Sequence, residues 1–189
     1  MKVVIIGGVA GGATAAARIR RLDEQAEIVV FERSGFISYA NCGLPYYIGG
    51  AIEDENDLTL QTPESFWKRF RVRMHVHHEV TGISPENKTV TVKNLESGAV
   101  FTESYDKLLL SPGAKPVKPS LDGIESDRIF TLRTVEDTLK IKKHVTVCQP
   151  GSAVVVGGGF IGIEMAENLQ ELGMDVTLVE AAEQLMAPF

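Results

Sequence analysis

Cysteine is scarce: Cys42 and Cys148 are the only two among 189 residues, and 106 positions separate them. That excludes a disulfide framework and a four-cysteine zinc site. Long basic blocks are missing too, with 19 Lys and Arg against 25 Asp and Glu and a net charge of −6. Nucleic acid is therefore not expected as the main partner. No window approaches the run of about 18 apolar residues that a membrane span needs, and no segment is of low complexity. What is present, 44% hydrophobic and 23% charged residues with 18 glycines, is ordinary for a globular chain. The length predicts one domain or two small ones.

The first residues have the outline of an export signal: Met1-Lys2, then an apolar run from Val3 to Ala17. However, Gly7, Gly8, Gly11 and Gly12 interrupt that run, and it continues into Arg18-Ile19-Arg20-Arg21-Leu22 at helical spacing. A phosphate-binding turn explains the glycines better than a cleaved leader does, so a cytoplasmic location is expected.

An internal echo organises the chain. Residues 2–7 form a β-branched run, GGVAGG leads into Ala13–Leu22, and a second run, Glu27–Phe31, ends at Glu32. The pattern returns 150 positions later. Ala153–Val156 is a strand, GGGFIG follows, Ile163–Leu172 reads as a helix stopped by Gly173, and Val176–Val179 ends at Glu180. Continuous apolar strands joined by crossover helices predict parallel sheets covered on both faces.

Between the two units the pattern changes. Pro63–Arg71 opens like a helix. From Val72 to Tyr105 the residues alternate, with turns at Asn87-Lys88 and Ser97-Gly98, which predicts a small antiparallel meander. Lys107–Leu110 is a buried strand, Ser111-Pro112-Gly113 a loop, and Val117–Asp127 a proline-rich connector; Val135–His144 is a helix.

The second glycine motif is the cleaner of the two. Gly157, Gly159 and Gly162, with Phe160 and Ile161 between them, match G-x-G-x-x-G between a strand and a helix. Such a turn lets the backbone approach a pyrophosphate that the helix N-terminus stabilises. Glu180 stands at the next strand end, placed to accept hydrogen bonds from a ribose 2′-hydroxyl, which favours NADH over NADPH. A tight turn without ligand is the plainer alternative. In the first motif Gly7 and Gly12 fill the outer positions while Val9 replaces the middle glycine. Gly8, Ala10 and Gly11 flank it, and Gly8 and Gly11 are expected to restore the clearance that valine removes. Glu32 again closes the following strand.

Cys42 lies in the polar, glycine-rich stretch Ser38–Gly50, just before Leu44–Ile48, a short helix candidate. A helix N-terminus favours the reactive thiolate, whereas a buried cysteine acting as a small hydrophobe is the plainer alternative. Without a second cysteine close by, a redox cycle at Cys42 needs an external sulfur or an oxidised state such as sulfenate. Cys148 reads as structural. His75, His77 and His78 fall in one alternating stretch, with His75 and His77 on one face and His78 on the other. They lack the three convergent ligands of a metal site, and none is expected. Arg18 and Arg21 form either a solvated face or, with Lys68, Arg69 and Arg71 elsewhere, a landing site for substrate phosphates.

Together, GGVAGGATAAARIRRLD, FER at 31–33, SYANCGLPYYIGG, LLLSPGAKP and GGGFIGIEMAENL resemble the FAD-dependent pyridine nucleotide–disulfide oxidoreductases. The likeness is greatest to their single-cysteine branch: coenzyme A-disulfide reductases, rhodanese-fused persulfide reductases and NADH oxidases. Val9 in the first motif is typical of that branch. The resemblance implies an α/β fold, in which a Rossmann-like FAD-binding domain (parallel sheet plus small antiparallel meander) spans residues 1–149, with a connector at 116–149. The start of a second Rossmann-like, NAD-binding domain follows at 150–189, its remaining strands and the family's later segments lying beyond, so that uncovered apolar faces are expected.

The resemblance also assigns roles. The turn from Gly7 to Gly12, with Glu32, Arg33, Asn41, Val80 and Ser111–Gly113, is implied to hold FAD, and the Gly157–Gly162 turn with Glu180 to hold NADH. Cys42 is implied to be the catalytic redox cysteine. Thr14, Arg18, Arg21, Ser38 and Asn41 are implied to meet a coenzyme A disulfide or persulfide. The full-length form is expected to be a homodimeric flavoprotein without nucleic-acid or membrane partners. An NADH oxidase cycling through Cys42 sulfenate is the alternative, and the 189-residue piece alone is expected to be inactive.

Overall fold

Short runs of Val, Ile and Phe that bury both faces become central strands, and β1 (Lys2–Ile6) and β2 (Glu27–Phe31) are such runs. In the computed structural model, which describes residues 1–187, β1 pairs in parallel with β2 and with β7 (Lys107–Leu110). β2 pairs in parallel with β3 (Arg73–His75), giving the order β3-β2-β1-β7. The chain divides into two compact units, one of Met1–Ala40 with Thr59–Ala114, the other of Asn41–Leu58 with the chain from Lys115 onward.

In the first unit the sheet is covered on both sides. Val3, Ile5, Ile28 and Val30 pack with Ala13 and Ala16 of α1 (Ala10–Leu22) and with Phe66 of α3 (Pro63–Phe70). Val4, Val29 and Phe31 pack with Val90 and Val92 of the meander β4 (His78–Ser84), β5 (Thr89–Asn94) and β6 (Val100–Ser104). The meander is antiparallel, with a bulge between Val80 and Gly82. At the C-terminal ends of α1 and α3, the Arg20 guanidinium donates to the carbonyls of Phe70 (2.8 Å), Arg71 (3.0 Å), Asp23 (3.3 Å) and Glu24 (2.6 Å). Those carbonyls include the ones a helix end leaves without an intrahelical partner.

The second unit contains α2 (Leu44–Gly49), α4 (Val135–Cys148), α5 (Phe160–Glu171) and the parallel pair β8 (Ser152–Val156) and β9 (Asp175–Val179). A 3₁₀ turn, Asn41–Gly43, runs directly into α2. Ile48, Ile141, Met165, Leu169 and Met174 form its core. Among the described residues this sheet has two strands, and one face leaves Val154 and Val156 open at 67% and 81% exposure. The final two residues of the span 150–189, Pro188 and Phe189, lie outside the described residues. No helix among the described residues is long and apolar enough to cross a membrane.

Three expectations change. The alternating stretch from Val72 is not one meander: β3 joins the parallel sheet, His77 turns the chain at φ 55°, and only β4–β6 form the meander. Consequently His75 and His77 do not share a strand face. Instead the His75 and His78 rings lie 5.3 Å apart and both pack on Phe31, at 5.4 and 6.2 Å. The helix from Val135 does not end at His144 but runs on to Cys148, which is exposed with Sγ 3.7 Å from His144 Nδ1. Finally, α1 and α5 begin three residues earlier than their apolar periodicity suggested, because their first turns consist of glycine-motif residues.

Candidate dinucleotide sites and the cysteine turn

The two glycine turns are built alike, atom for atom in their backbone connections. Gly7 N–H donates to the Phe31 carbonyl and Gly157 N–H to the Val179 carbonyl, both at 2.8 Å, so each turn is stitched to the neighbouring strand end. Both glycines are left-handed, at φ 98° and 111°, a region that favours glycine. A side chain at Gly12 would run into the Gly7 carbonyl oxygen, and one at Gly162 into that of Gly157. Each helix therefore starts hard against its own strand.

The acid at each strand end is equally matched. Glu32 Oε2 accepts the Gly8 N–H at 2.7 Å and Oε1 the Ser34 N–H at 2.9 Å. Glu180 Oε2 accepts the Gly158 N–H at 2.5 Å and Oε1 the Ala182 N–H at 2.7 Å. The N–H groups of Ala182 and then Gly158 hold the Glu180 carboxyl below the usual carboxylate range, since hydrogen bonds to the charged form favour it.

The likeness extends past the acid. Six positions on, Ser38 N–H donates to the Gly8 carbonyl (3.0 Å) and Met186 N–H to the Gly158 carbonyl (2.9 Å). Ser38 and Met186 are both left-handed, at φ 48° and 56°. One residue earlier, Ile37 and Leu185 close on Gly8 and Gly158. Leu185 and Met186 carry no local signal; only the match to the first unit reveals them.

The helix starts differ by role. α3 and α4 are closed by capping boxes, Thr62 with Ser65 and Thr134 with Asp137. α1 and α5, which follow the glycine turns, have no side-chain cap and no acid in the first turn. Their N-terminal N–H groups are available to an anion. A diphosphate fits this arrangement.

Within the first unit the other expected residues are placed as follows. The Ser111 carbonyl approaches Gly7 and its hydroxyl approaches Gly11, so Gly11 clears room for Ser111 while Gly8 clears room for Ile37 and Glu32. Val9 is the N-cap of α1, Ala10 its first residue, and Gly113 is left-handed at φ 71°. Pro112 is exposed between them. Val80 packs on the Phe31 core beneath the meander rather than standing free. Arg33 is exposed, 4.0 Å from Glu79. Thr14, Arg18 and Arg21 are all exposed and share one face of α1 at i, i+4 and i+7.

In the second unit, Gly159 is the N-cap of α5, and Phe160 and Ile161, its first residues, are exposed. Cys42 is exposed in the 3₁₀ turn before α2. Its neighbour Asn41 keeps a buried Oδ1 without a hydrogen-bond partner among the described residues. Among those residues no group of three or more His, Cys, Asp or Glu side chains is placed to hold a metal ion.

Comparison with known proteins agrees with this construction. The profile of the family described as pyridine nucleotide-disulphide oxidoreductase matches residues 1–189. A coenzyme A disulfide reductase of Staphylococcus aureus (strain JH9) is 45% identical over 184 residues, covering 97% of this chain and 41% of that protein. The crystal structure of reduced Bacillus anthracis CoADR-RHD superposes with a TM-score of 0.96 at 53% identity, over 100% of this chain and 34% of the other. An NAD-dependent persulfide reductase from A. fulgidus gives a TM-score of 0.94 at 37% identity, over 99% and 35%. The chain thus spans about two fifths of the length of the curated relatives it matches. With a Rossmann-like parallel sheet, a meander and two glycine–acid turns in the family's order, the chain belongs to the pyridine nucleotide-disulphide oxidoreductases.

Proposed function

We propose that the full-length protein is a cytoplasmic, homodimeric flavoprotein that uses NADH to reduce a coenzyme A disulfide or persulfide through Cys42. The observation that carries this reading is the pairing of two glycine–acid turns, each with an uncapped helix, with an exposed cysteine, Cys42, that has no second cysteine near it in the sequence. By motif order, residues 1–149 make up the FAD part and 150–189 the beginning of the NADH part. FAD, when bound, supplies the two-electron relay between a nicotinamide and a thiol–disulfide couple.

The chain's own residues divide the work. The open N-terminus of α1 and the Gly7–Gly12 turn receive one diphosphate, with Glu32 toward its ribose and Ser111–Gly113 along the cofactor. The open N-terminus of α5 and the Gly157–Gly162 turn receive the other. There the ionised Glu180 accepts from a ribose 2′-hydroxyl and repels a 2′-phosphate, the reason for favouring NADH. Arg18 and Arg21, with Thr14 on the same helical face, offer phosphate contacts to coenzyme A, and Ser38 and Asn41 flank the reacting sulfur. The Cys42 thiolate attacks one sulfur of the substrate disulfide. A Cys42–coenzyme A disulfide forms and the other coenzyme A leaves as thiolate.

The deciding experiment is steady-state turnover of the full-length Cys42→Ser variant. NADH oxidation dependent on coenzyme A disulfide or persulfide is expected to vanish. Retained reductase activity overturns the reading. NADH consumption matched by oxygen uptake, indifferent to the disulfide, replaces it with an oxidase.

A further inference from the structure

The turn that carries Cys42 has no helix of its own length to hold it: α2 is six residues long. What fixes α2 is its C-terminal end. Gly50, left-handed at φ 92°, donates its N–H to the carbonyls of Tyr46 (3.0 Å) and Tyr47 (3.2 Å). The next carbonyl, that of Ile48, accepts from Lys142 Nζ of α4 at 3.0 Å. The same ammonium lies 5.7 Å over the Tyr47 ring. Ile48 itself is fully buried.

The following residue, Gly49, lies against Asn168 of α5. A side chain at Gly49 would begin inside Asn168 Oδ1 and 2.8 Å from its Cγ. One Cα hydrogen of Gly49 is therefore directed at that oxygen, a weak Cα–H···O contact. Asn168 is 1% exposed; its Nδ2 donates to the Glu164 carbonyl at 2.8 Å, while Oδ1 has no conventional partner among the described residues. A buried amide with one oxygen left over is a costly choice for a helix interior, where an apolar residue would pack at no such cost. Glycine at position 49 and asparagine at position 168 are complementary: neither position accepts a larger or reshaped side chain without moving the other.

We propose that Asn168 and Lys142 are positioning residues for Cys42. They seat α2 on α4 and on α5, the helix that follows the second glycine turn, and so hold the cysteine's 3₁₀ turn in one setting. The inference rests on the reading of Cys42 as the redox thiol, but its first measurement does not.

In the full-length protein, the rate of iodoacetamide alkylation at Cys42 is measured by peptide mass against that at Cys148, an exposed internal standard. Gly49→Ala is expected to change the Cys42:Cys148 ratio by about threefold or more, because thiol reactivity follows its local setting. Asn168→Ala alone, which removes the side chain that seats Gly49, is expected to shift the ratio as well. General destabilisation would raise both rates together. An unchanged ratio in folded Gly49→Ala overturns the proposal. If that variant does not fold, Lys142→Met decides: an altered ratio upholds the proposal and an unaltered one overturns it. In turnover, the same variants are expected to lower kcat with coenzyme A disulfide about tenfold while leaving the KM for NADH unchanged; an unchanged kcat also overturns it. A shifted alkylation ratio together with full activity in Cys42→Ser would keep the positioning role and remove the redox reading.

Discussion

The carboxylate of Glu32 accepts the backbone N–H of Gly8 at 2.7 Å, and 148 residues later Glu180 holds Gly158 by the same bond at 2.5 Å. Each acid thus braces the turn beside which a ribose is expected. Because N–H groups depress the Glu180 pKa below its ordinary 4.5, its contribution is present above the unfolded value and is lost as pH falls through the lower folded one. Glu180→Ala should raise the KM for NADH about tenfold, the effect of one charge-assisted hydrogen bond, and narrow the gap to NADPH. Steady-state kinetics with both nucleotides would show it; an unchanged ratio of the two counts against the assigned ribose contact.

Two glycines of the second turn separate ligand clearance from protein clearance. Nothing within 4 Å opposes a methyl at Gly159, whereas one at Gly162 meets the Gly157 carbonyl. Gly159→Ala should change folding stability by no more than about 0.5 kcal/mol yet weaken NADH binding. Gly162→Ala should cost about 1–3 kcal/mol through overpacking. Urea melts paired with NADH titration distinguish the two; equal stability losses would contradict this division.

Arg20 and Arg21 are neighbours with opposite employment. Arg20 ties four carbonyls at the ends of α1 and α3, while Arg21 is exposed on the face shared with Arg18. Arg20→Ala should lower stability by about 2 kcal/mol, within the range for hydrogen bonds to a charged donor. Arg21→Ala should leave the denaturant midpoint in place and raise the KM for coenzyme A disulfide. Reversed results would exchange the two roles.

His75 supplies a pH signature of the fold. Burial, then the His78 ring and the Arg73 charge, push its pKa below the ordinary 6.5, against an opposing pull from Glu103. A histidine depressed in the native state binds protons more readily when unfolded. Its contribution is therefore complete above 6.5 and declines as pH falls from there toward the lower folded value. The stability difference between the wild type and His75→Phe should shift against the wild type between pH 7.5 and 5, read from urea midpoints. Parallel pH profiles would show that His75 does not titrate in this window.

Much of the architecture was legible because its signals are local. Continuous apolar runs named β1, β2, β8 and β9; the glycine pattern marked both turns; and the first acid after each second strand marked Glu32 and Glu180. The alternating stretch from Val72 misled, because alternation reports that a segment is extended and not which sheet it enters. β3 and β4 differ only in their partners, and the left-handed His77 separates them.

By itself, the sequence determined the twofold strand–turn–helix–acid plan and its candidate residues, since glycine clearance, strand periodicity and helix entry each depend on a few consecutive positions. Only the tertiary structure decided what distant segments do for one another. It placed Arg20 on the end of α3, set Asn168 against Gly49, bound Lys142 to the Ile48 carbonyl, and matched Leu185 and Met186 to Ile37 and Ser38. These contacts join residues 50 to 120 positions apart or repeat across units without a shared local motif. The packing of whole elements selects them, and no short window of residues contains that information.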